Sequence, residues 1–437
     1  MGAAEVRKKA AITTLGCKLN QYDSERVREQ LVRRGYDIVP FDGAADLYVV
    51  NSCTVTSKSD RDARRLARQA KRRNPAAMVV VTGCYAEVAP EDLAAIAEID
   101  LVLSNTEKET LAAHVPPGSG LADTEQETHP SESLIDSFAG HTRAFVKVQE
   151  GCDAHCAYCI VPRARGPSRS MSPLAVVRQV EKLVAAGHPE IVLIGVHLGM
   201  YGRDIPEEQV DLEDLARWLC EVPGLGRLRF SSIEPCEVTE GLIDLVTRHP
   251  KVGRHLHIPL QSGSDATLRT MGRPYTTAGY ADLVGRIRAA SPLAALGADV
   301  MVGFPGETDG HFQETHDFLR ELPLSYLHVF AYSRRPGTVA ADMPGQVPPE
   351  VKRRRSRILM QLSVEKRAHF AQRNVGQELE VVLERPIEGD DGHVLGVSDN
   401  YLRVRLPGST ETRGQIVRAR VLSAEAHFVN GEIATGA

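Results

Sequence analysis

Tryptophan occurs once in this 437-residue chain and aromatic residues make up 5% of it, which excludes an extended platform for stacking nucleic-acid bases. No apolar run approaches the roughly 18 residues that would cross a bilayer; the longest are short, such as Ile191 to Val196. The first ten residues are charged and lack the apolar core of a signal peptide. Val6 stands where a myristoylation motif needs Ser or Thr. A cytoplasmic protein with no membrane attachment is expected. A large surplus of one charge is missing too: the net charge is −5, so a nucleic acid would have to be met by local basic patches.

Hydrophobic residues at 42% and charged residues at 25% are ordinary for a folded protein. At roughly 150 residues per domain the length suits about three domains. The unusual asset is eight cysteines, at 17, 53, 84, 152, 156, 159, 220 and 236. In a cytosolic chain of this length, metal ligation or catalysis is their expected use, ahead of stable disulfides.

Residues 8–118 alternate apolar strand-like runs (11–16, 46–52, 78–83, 101–104) with helical stretches (23–34 capped by Ser24, 58–73, and one from 90). Near-continuous apolar strands between helices predict an N-terminal doubly wound parallel α/β domain. Residues 119–140, rich in Pro, Gly, Ser and acids, read as a linker. Residues 141–372 resume the alternation, with strands expected at 144–149, 191–195, 227–231, 255–259, 297–302 and 326–331, enough for a partial or complete β/α barrel. Residues 373–437 hold short strands near 378–383, 393–397, 401–406 and 414–421, with turns at Asp390-Asp391-Gly392 and Pro407-Gly408. They predict a small all-β barrel.

Cys152, Cys156 and Cys159 form a C-x3-C-x2-C run directly after the first central strand. Three thiolates in eight residues can wrap one face of a soft-metal centre. A [4Fe–4S] cluster held this way keeps one iron free for a substrate, and this spacing after the first strand of a β/α domain is the signature of radical S-adenosylmethionine enzymes. A closed zinc site, with His155 as fourth ligand, is the alternative. Cys17, Cys53 and Cys84 each follow one of the first three N-terminal strands. Carboxyl ends of parallel strands share one edge, so these three are expected to converge as a second three-thiolate site. Otherwise each is a small buried hydrophobe. Cys220 and Cys236 read as structural.

These residues resemble the methylthiotransferase family of the radical S-adenosylmethionine superfamily over nearly the whole chain. The matching stretches are TLGCKLNQYDSE around Cys17, VNSCTVT around Cys53, TGCYAE around Cys84 and GCDAHCAYCIVPRARGPSRS over 151–170. HIPLQSGSDATLRTMGRPYT (257–276) and GADVMVGFPGET (297–308) match as well. The tail resembles the RNA-binding domain known as TRAM. The resemblance implies two [4Fe–4S] clusters and S-adenosylmethionine: an auxiliary cluster on Cys17, Cys53 and Cys84 that carries the sulfur, and a radical-generating one on Cys152, Cys156 and Cys159. It also implies a tRNA substrate, an external electron donor and a sulfur source. The Gly-Cys-Lys-x-Asn-Gln opening, with Lys18 after the first cysteine, is most similar to the branch acting on N6-threonylcarbamoyladenosine beside the anticodon. The alternatives within the family are isopentenyladenosine in tRNA and a ribosomal-protein aspartate. An iron–sulfur electron-transfer protein is the alternative from another class.

Ser232, Glu234 and Gln261, after later strands, are candidate S-adenosylmethionine contacts, although strand-end caps and ordinary turns explain them equally. Arg163, Arg165 and Arg169 follow the cysteine run and are candidates for RNA phosphates or a substrate carboxylate. Lys58 to Arg73, with eight basic residues and two acids, and Lys352 to Arg357, with five basic residues, are either RNA-facing patches or solvated helix faces.

Overall fold

A computed structural model describes residues 7–119, 134–425 and 427–434. The N-terminal sheet holds β1 (Lys9–Thr14), β2 (Asp37–Val39), β3 (Leu47–Ser52), β4 (Met78–Gly83) and β5 (Leu101–Val102) in the order β2-β1-β3-β4-β5, all parallel. All six residues of β3 are buried, as a central strand covered on both faces must be. Helix α1 (Lys18–Arg33) begins five residues before the expected Asp23, with Cys17 as N-cap. Ser24 is therefore no cap. It lies inside the helix, where its Oγ accepts from Thr14 and Asn51. The first turn escapes hydrophobic periodicity because its buried face is polar: Asn20 is fully buried and donates to the carbonyls of Leu15 and Ser52. Helices α2 (Ser57–Arg73), α3 (Cys84–Val88) and α4 (Pro90–Ala94) complete this part.

The central part holds β6 (Arg143–Lys147), a two-residue ribbon of β7 (Gln149–Glu150) and β8 (Arg169–Ser170), then β9 (Glu190–Ile194), β10 (Arg227–Phe230), β11 (His255–His257), β12 (Ala295–Val302) and β13 (Tyr326–Ala331). Six of these run parallel as two three-stranded sheets, β6-β9-β10 and β11-β12-β13, which a bridge between Ser232 and His257 joins into one arc. Among the described residues β6 and β13 do not pair, so the barrel is partial. Alternation along β6 sends Ala144 and Val146 into the helix-packed core and Arg143 to the opposite face, where it meets Glu190. Of the expected linker, residues 120–133 lie outside the described residues. The remainder is docked: Ile135 and Phe138 are buried in the barrel's core, and Gln179 holds Ile135 through both backbone groups.

After the 25-residue helix Pro349–Arg373, β14 (Glu378–Ile387), β15 (Asp390–Ser398), β16 (Arg403–Pro407), β17 (Ile416–Ala424) and β18 (Val429–Ile433) close a small barrel. Its first turn falls at Glu388-Gly389, with Gly389 at φ 80°, and not at Asp390-Asp391-Gly392, which begins β15. The barrel is fastened to the floor of the central arc. The buried guanidinia of Arg227 and Arg229 share Glu190 and donate onward to the carbonyls of Val397, Glu380, Asp399 and Ser398. Tyr401 stacks on His255 with ring centroids 4.1 Å apart and lies under Arg229. Burial alone would push the Glu190 carboxyl up, but Arg229, Arg143 and Arg227 outweigh it and hold it at about 2. No helix among the described residues is long and apolar enough to cross a membrane.

Candidate metal centre

Strands β1, β3 and β4 are neighbours in the sheet, and Cys17, Cys53 and Cys84 stand just past their carboxyl ends. The structure brings the three together. A Cβ on Gly16 would meet the Cys53 Sγ at 2.8 Å, and the thiols of Cys84 and Cys17 act electrostatically on Cys53. Gly16, Gly83 and Gly151 each precede a cysteine of the two trios and each has positive φ (98°, 91° and 73°), a backbone that side chains resist. Burial pushes the Cys53 thiol up to about 11 and raises Cys84 as well. Such thiols keep their protons until a metal displaces them.

Cys152, Cys156 and Cys159 gather on the carboxyl edge of the barrel. Burial pushes Cys159 up to about 12, with Cys156 and Cys152 adding to the shift. Cys152 Sγ accepts from the Ala154 N–H and lies 3.5 Å from His197 Nδ1, whose Nε2 is 2.6 Å from a Glu237 carboxylate oxygen. Arg273 donates to Cys156 Sγ at 3.1 Å and pairs with Glu234. Gln149 accepts from the His197 N–H and donates to the Gly151 carbonyl, which pins the start of the cysteine loop. His155 is exposed.

The donor sets fit a polynuclear cluster better than a single ion. Thiolates about 2.3 Å from one zinc lie within roughly 4 Å of each other. Among the described residues, the one group whose ligand atoms all fall within 4.8 Å is His257, Asp299 and His328, and neither cysteine trio closes to that spacing. Cys220 is buried in the barrel core and Cys236 is exposed.

Ser232, Glu234 and Gln261 follow β10 and β11 on the same carboxyl edge. Glu234 reaches the cysteine loop through Arg273. Gln261 has a left-handed backbone, φ 67°, held by its N–H to Asp299 and by its carbonyl from Met301. Positive φ at a side-chain-bearing residue is strain that the surroundings must over-determine.

The expectation that Arg165 faces a phosphate or a substrate carboxylate is corrected. Arg165, on α5 (Val161–Arg165), is buried, and its guanidinium donates to Asn20 and Glu150 at 2.5 Å and to Asp23 at 3.2 Å. It also acts on Cys84. Asp23 takes Lys108 at 2.7 Å and Lys147 at 3.0 Å as well. Burial would raise Asp23, yet these three cations hold it well below the carboxylate range. One network thus ties α1, whose N-cap is Cys17, to the helix that follows Cys159. Arg163 is exposed and donates to the Pro336 carbonyl, and Arg169 is exposed beside Arg165. No periodicity marks Gln149, His197, Glu237 or Arg273; the only cue is that each follows an apolar run or lies in a matching stretch.

Residues 9–104 match the family described as uncharacterized protein family UPF0004, and residues 146–319 match the radical SAM superfamily. The chain is 38% identical over 435 residues to the threonylcarbamoyladenosine tRNA methylthiotransferase MtaB of Bacillus subtilis, covering 97% of this chain and 95% of that protein. It is 33% identical over 446 residues to the tRNA-2-methylthio-N(6)-dimethylallyladenosine synthase of Moorella thermoacetica, covering 99% and 100%. The solved structure of the radical S-adenosylmethionine methyltransferase TsrM from Kitasatospora setae shares the fold, with a TM-score of 0.53 at 17% identity over 76% of this chain and 77% of that one.

Proposed function

The chain belongs to the methylthiotransferase family of radical S-adenosylmethionine enzymes, and from that premise we propose the reaction its site carries out. It adds a methylthio group to carbon 2 of N6-threonylcarbamoyladenosine in tRNA. The observation that carries this reading is the convergence of two cysteine trios, one on each of two strand edges, joined by the Arg165 network. Family membership brings one [4Fe–4S] cluster and S-adenosylmethionine. The second cluster, on Cys17, Cys53 and Cys84, is part of the proposal. When bound, these groups supply the electron, the radical, the sulfur and the methyl group.

The chain's own residues do the holding. Cys152, Cys156 and Cys159 present three thiolates from one loop; Arg273 donates to Cys156, and His197 Nδ1 lies against Cys152. Ser232, Glu234 and Gln261, on the same carboxyl edge as the cysteine loop, would hold S-adenosylmethionine. Arg165, Asp23 and Lys147 tie the helix that follows Cys17 to the barrel, and so would hold the auxiliary trio in place beside it. An external electron donor and a sulfur source are required, and a cytoplasmic setting is consistent with both.

The threonylcarbamoyl group ends in a carboxylate, which calls for a cation. Lys18, next to Cys17, is half-buried over the Phe145 ring, and no hydrogen bond or ion pair reaches its ammonium among the described residues. Beside an apolar isopentenyl group that charge would stay unpaired, which favours the carboxylate-bearing substrate. Iron content tests the cluster count: anaerobic reconstitution should give about eight irons per chain. About four would remove the auxiliary site from the proposal.

A further inference from the structure

Helix α2 leaves the auxiliary site directly, since its N-cap, Thr56, is three residues past Cys53. Its inner face is small and apolar, with Ala63, Ala67 and Ala70 fully buried against the sheet. Its outer face carries Lys58, Arg61, Arg65, Arg68 and Arg72, all exposed. Their spacing of 3, 4, 3 and 4 places five cations in one line about 21 Å long at 1.5 Å per residue.

Two of the five have an acidic neighbour, Arg65 with Asp62 at 3.3 Å and Arg68 with Glu98 at 3.8 Å. Exposed pairs of that kind hold their partners weakly. Lys58, Arg61 and Arg72 have no ion pair or hydrogen bond among the described residues. The helix is also fixed in place. Asp60 pairs with Arg335 at 2.7 Å, and the Ser57 N–H donates to Ser333 in the loop after β13. The other basic run differs: Lys352 donates to the Tyr332 carbonyl, and Arg355 is buried on Glu307 and Asp309. Arg353, Arg354 and Arg357 of that run stay exposed, but two of its five cations are tied down, whereas all five of the α2 line are exposed.

We propose that this face of α2 is a rail for the phosphates of the tRNA's anticodon arm, which it leads away from the Cys53 end of the helix. The proposal rests on the reading of tRNA as substrate. A line of cations without aromatic side chains reads backbone charge and not bases, so it positions any tRNA alike. Selection of the modified adenosine belongs to the residues beside the cysteine trios, Lys18 among them.

The test uses full-length, cluster-loaded enzyme carrying Lys58→Gln, Arg61→Gln and Arg72→Gln together. Binding of threonylcarbamoylated tRNA and of the same tRNA without the modification is measured from 50 to 500 mM salt. Three lost phosphate contacts should flatten the slope of log affinity against log salt by about 2 to 3, and weaken binding on the order of 100-fold at 0.1 M. Both tRNAs should lose equally, while cleavage of S-adenosylmethionine without RNA is unchanged. A slope equal to wild type overturns the rail, whether or not binding weakens, and so does a loss confined to the modified tRNA. A wild type that binds tRNA but never methylthiolates it overturns the substrate reading, which is a separate result.

Discussion

Replacing Arg165 by Met removes the guanidinium that joins the auxiliary site to the barrel. Three acceptors lose a donor: Asn20 and Glu150 at 2.5 Å and Asp23 at 3.2 Å. Breaking a buried ion pair by deleting one partner costs about 3–5 kcal/mol, because the other charge is left alone. Here neither carboxylate is abandoned. Asp23 keeps Lys108 at 2.7 Å and Lys147 at 3.0 Å, and Glu150 keeps Lys147 at 2.6 Å. The expected loss is therefore lower, about 2–3 kcal/mol. It should appear as a lower urea midpoint in cluster-free protein. A cycle with Asp23→Asn should show coupling of more than about 0.5 kcal/mol, the limit for independent sites. In loaded enzyme, methylthiolated product per S-adenosylmethionine cleaved should fall, because the N-terminal site shifts while the Cys152 loop stays. Additive single effects, or cleavage and product falling in parallel, would refute the argument that Arg165 sets one site against the other.

Cys156→Ala should abolish S-adenosylmethionine cleavage, whereas Cys53→Ala should keep cleavage and stop methylthiolated product; equal loss of cleavage in two folded variants would contradict the division of labour. Acid should loosen the C-terminal barrel through Glu190. Its pKa is depressed to about 2 in the folded chain, against about 4.3 unfolded. Its contribution of about 3 kcal/mol is therefore complete above that unfolded value and lost as pH falls toward 2. Glu190→Gln should flatten that part of the acid unfolding curve, and an unchanged curve would remove Glu190 from the account.

The strands that carry the cysteines were legible because each is a short, almost unbroken apolar run ending in Gly, Ser or Thr, as in MVVVTG before Cys84. Their adjacency followed from the parallel α/β alternation. The start of α1 was hidden because Asn20, Asp23 and Ser24 are buried polar residues on a helix face that a hydrophobic pattern would call outward. The network of Asp23, Lys108, Lys147 and Arg165 spans up to 142 residues of sequence, and pairing at that range exists only once the domains are packed. Arg165 therefore looked like a free cation beside the cluster loop. The fifth tail strand, Val429–Ile433, is short and interrupted by Gly431, and only its pairing with β16 and β17 closes the barrel.

The central claim is that this enzyme methylthiolates carbon 2 of threonylcarbamoyladenosine. Its most direct test is mass spectrometry of nucleosides from tRNAs bearing either modification, after incubation with reconstituted enzyme, S-adenosylmethionine, a reductant and a sulfur source. The account predicts the 2-methylthio derivative of threonylcarbamoyladenosine and little or none of the isopentenyl product. Methylthiolation of the isopentenyl form alone would contradict it.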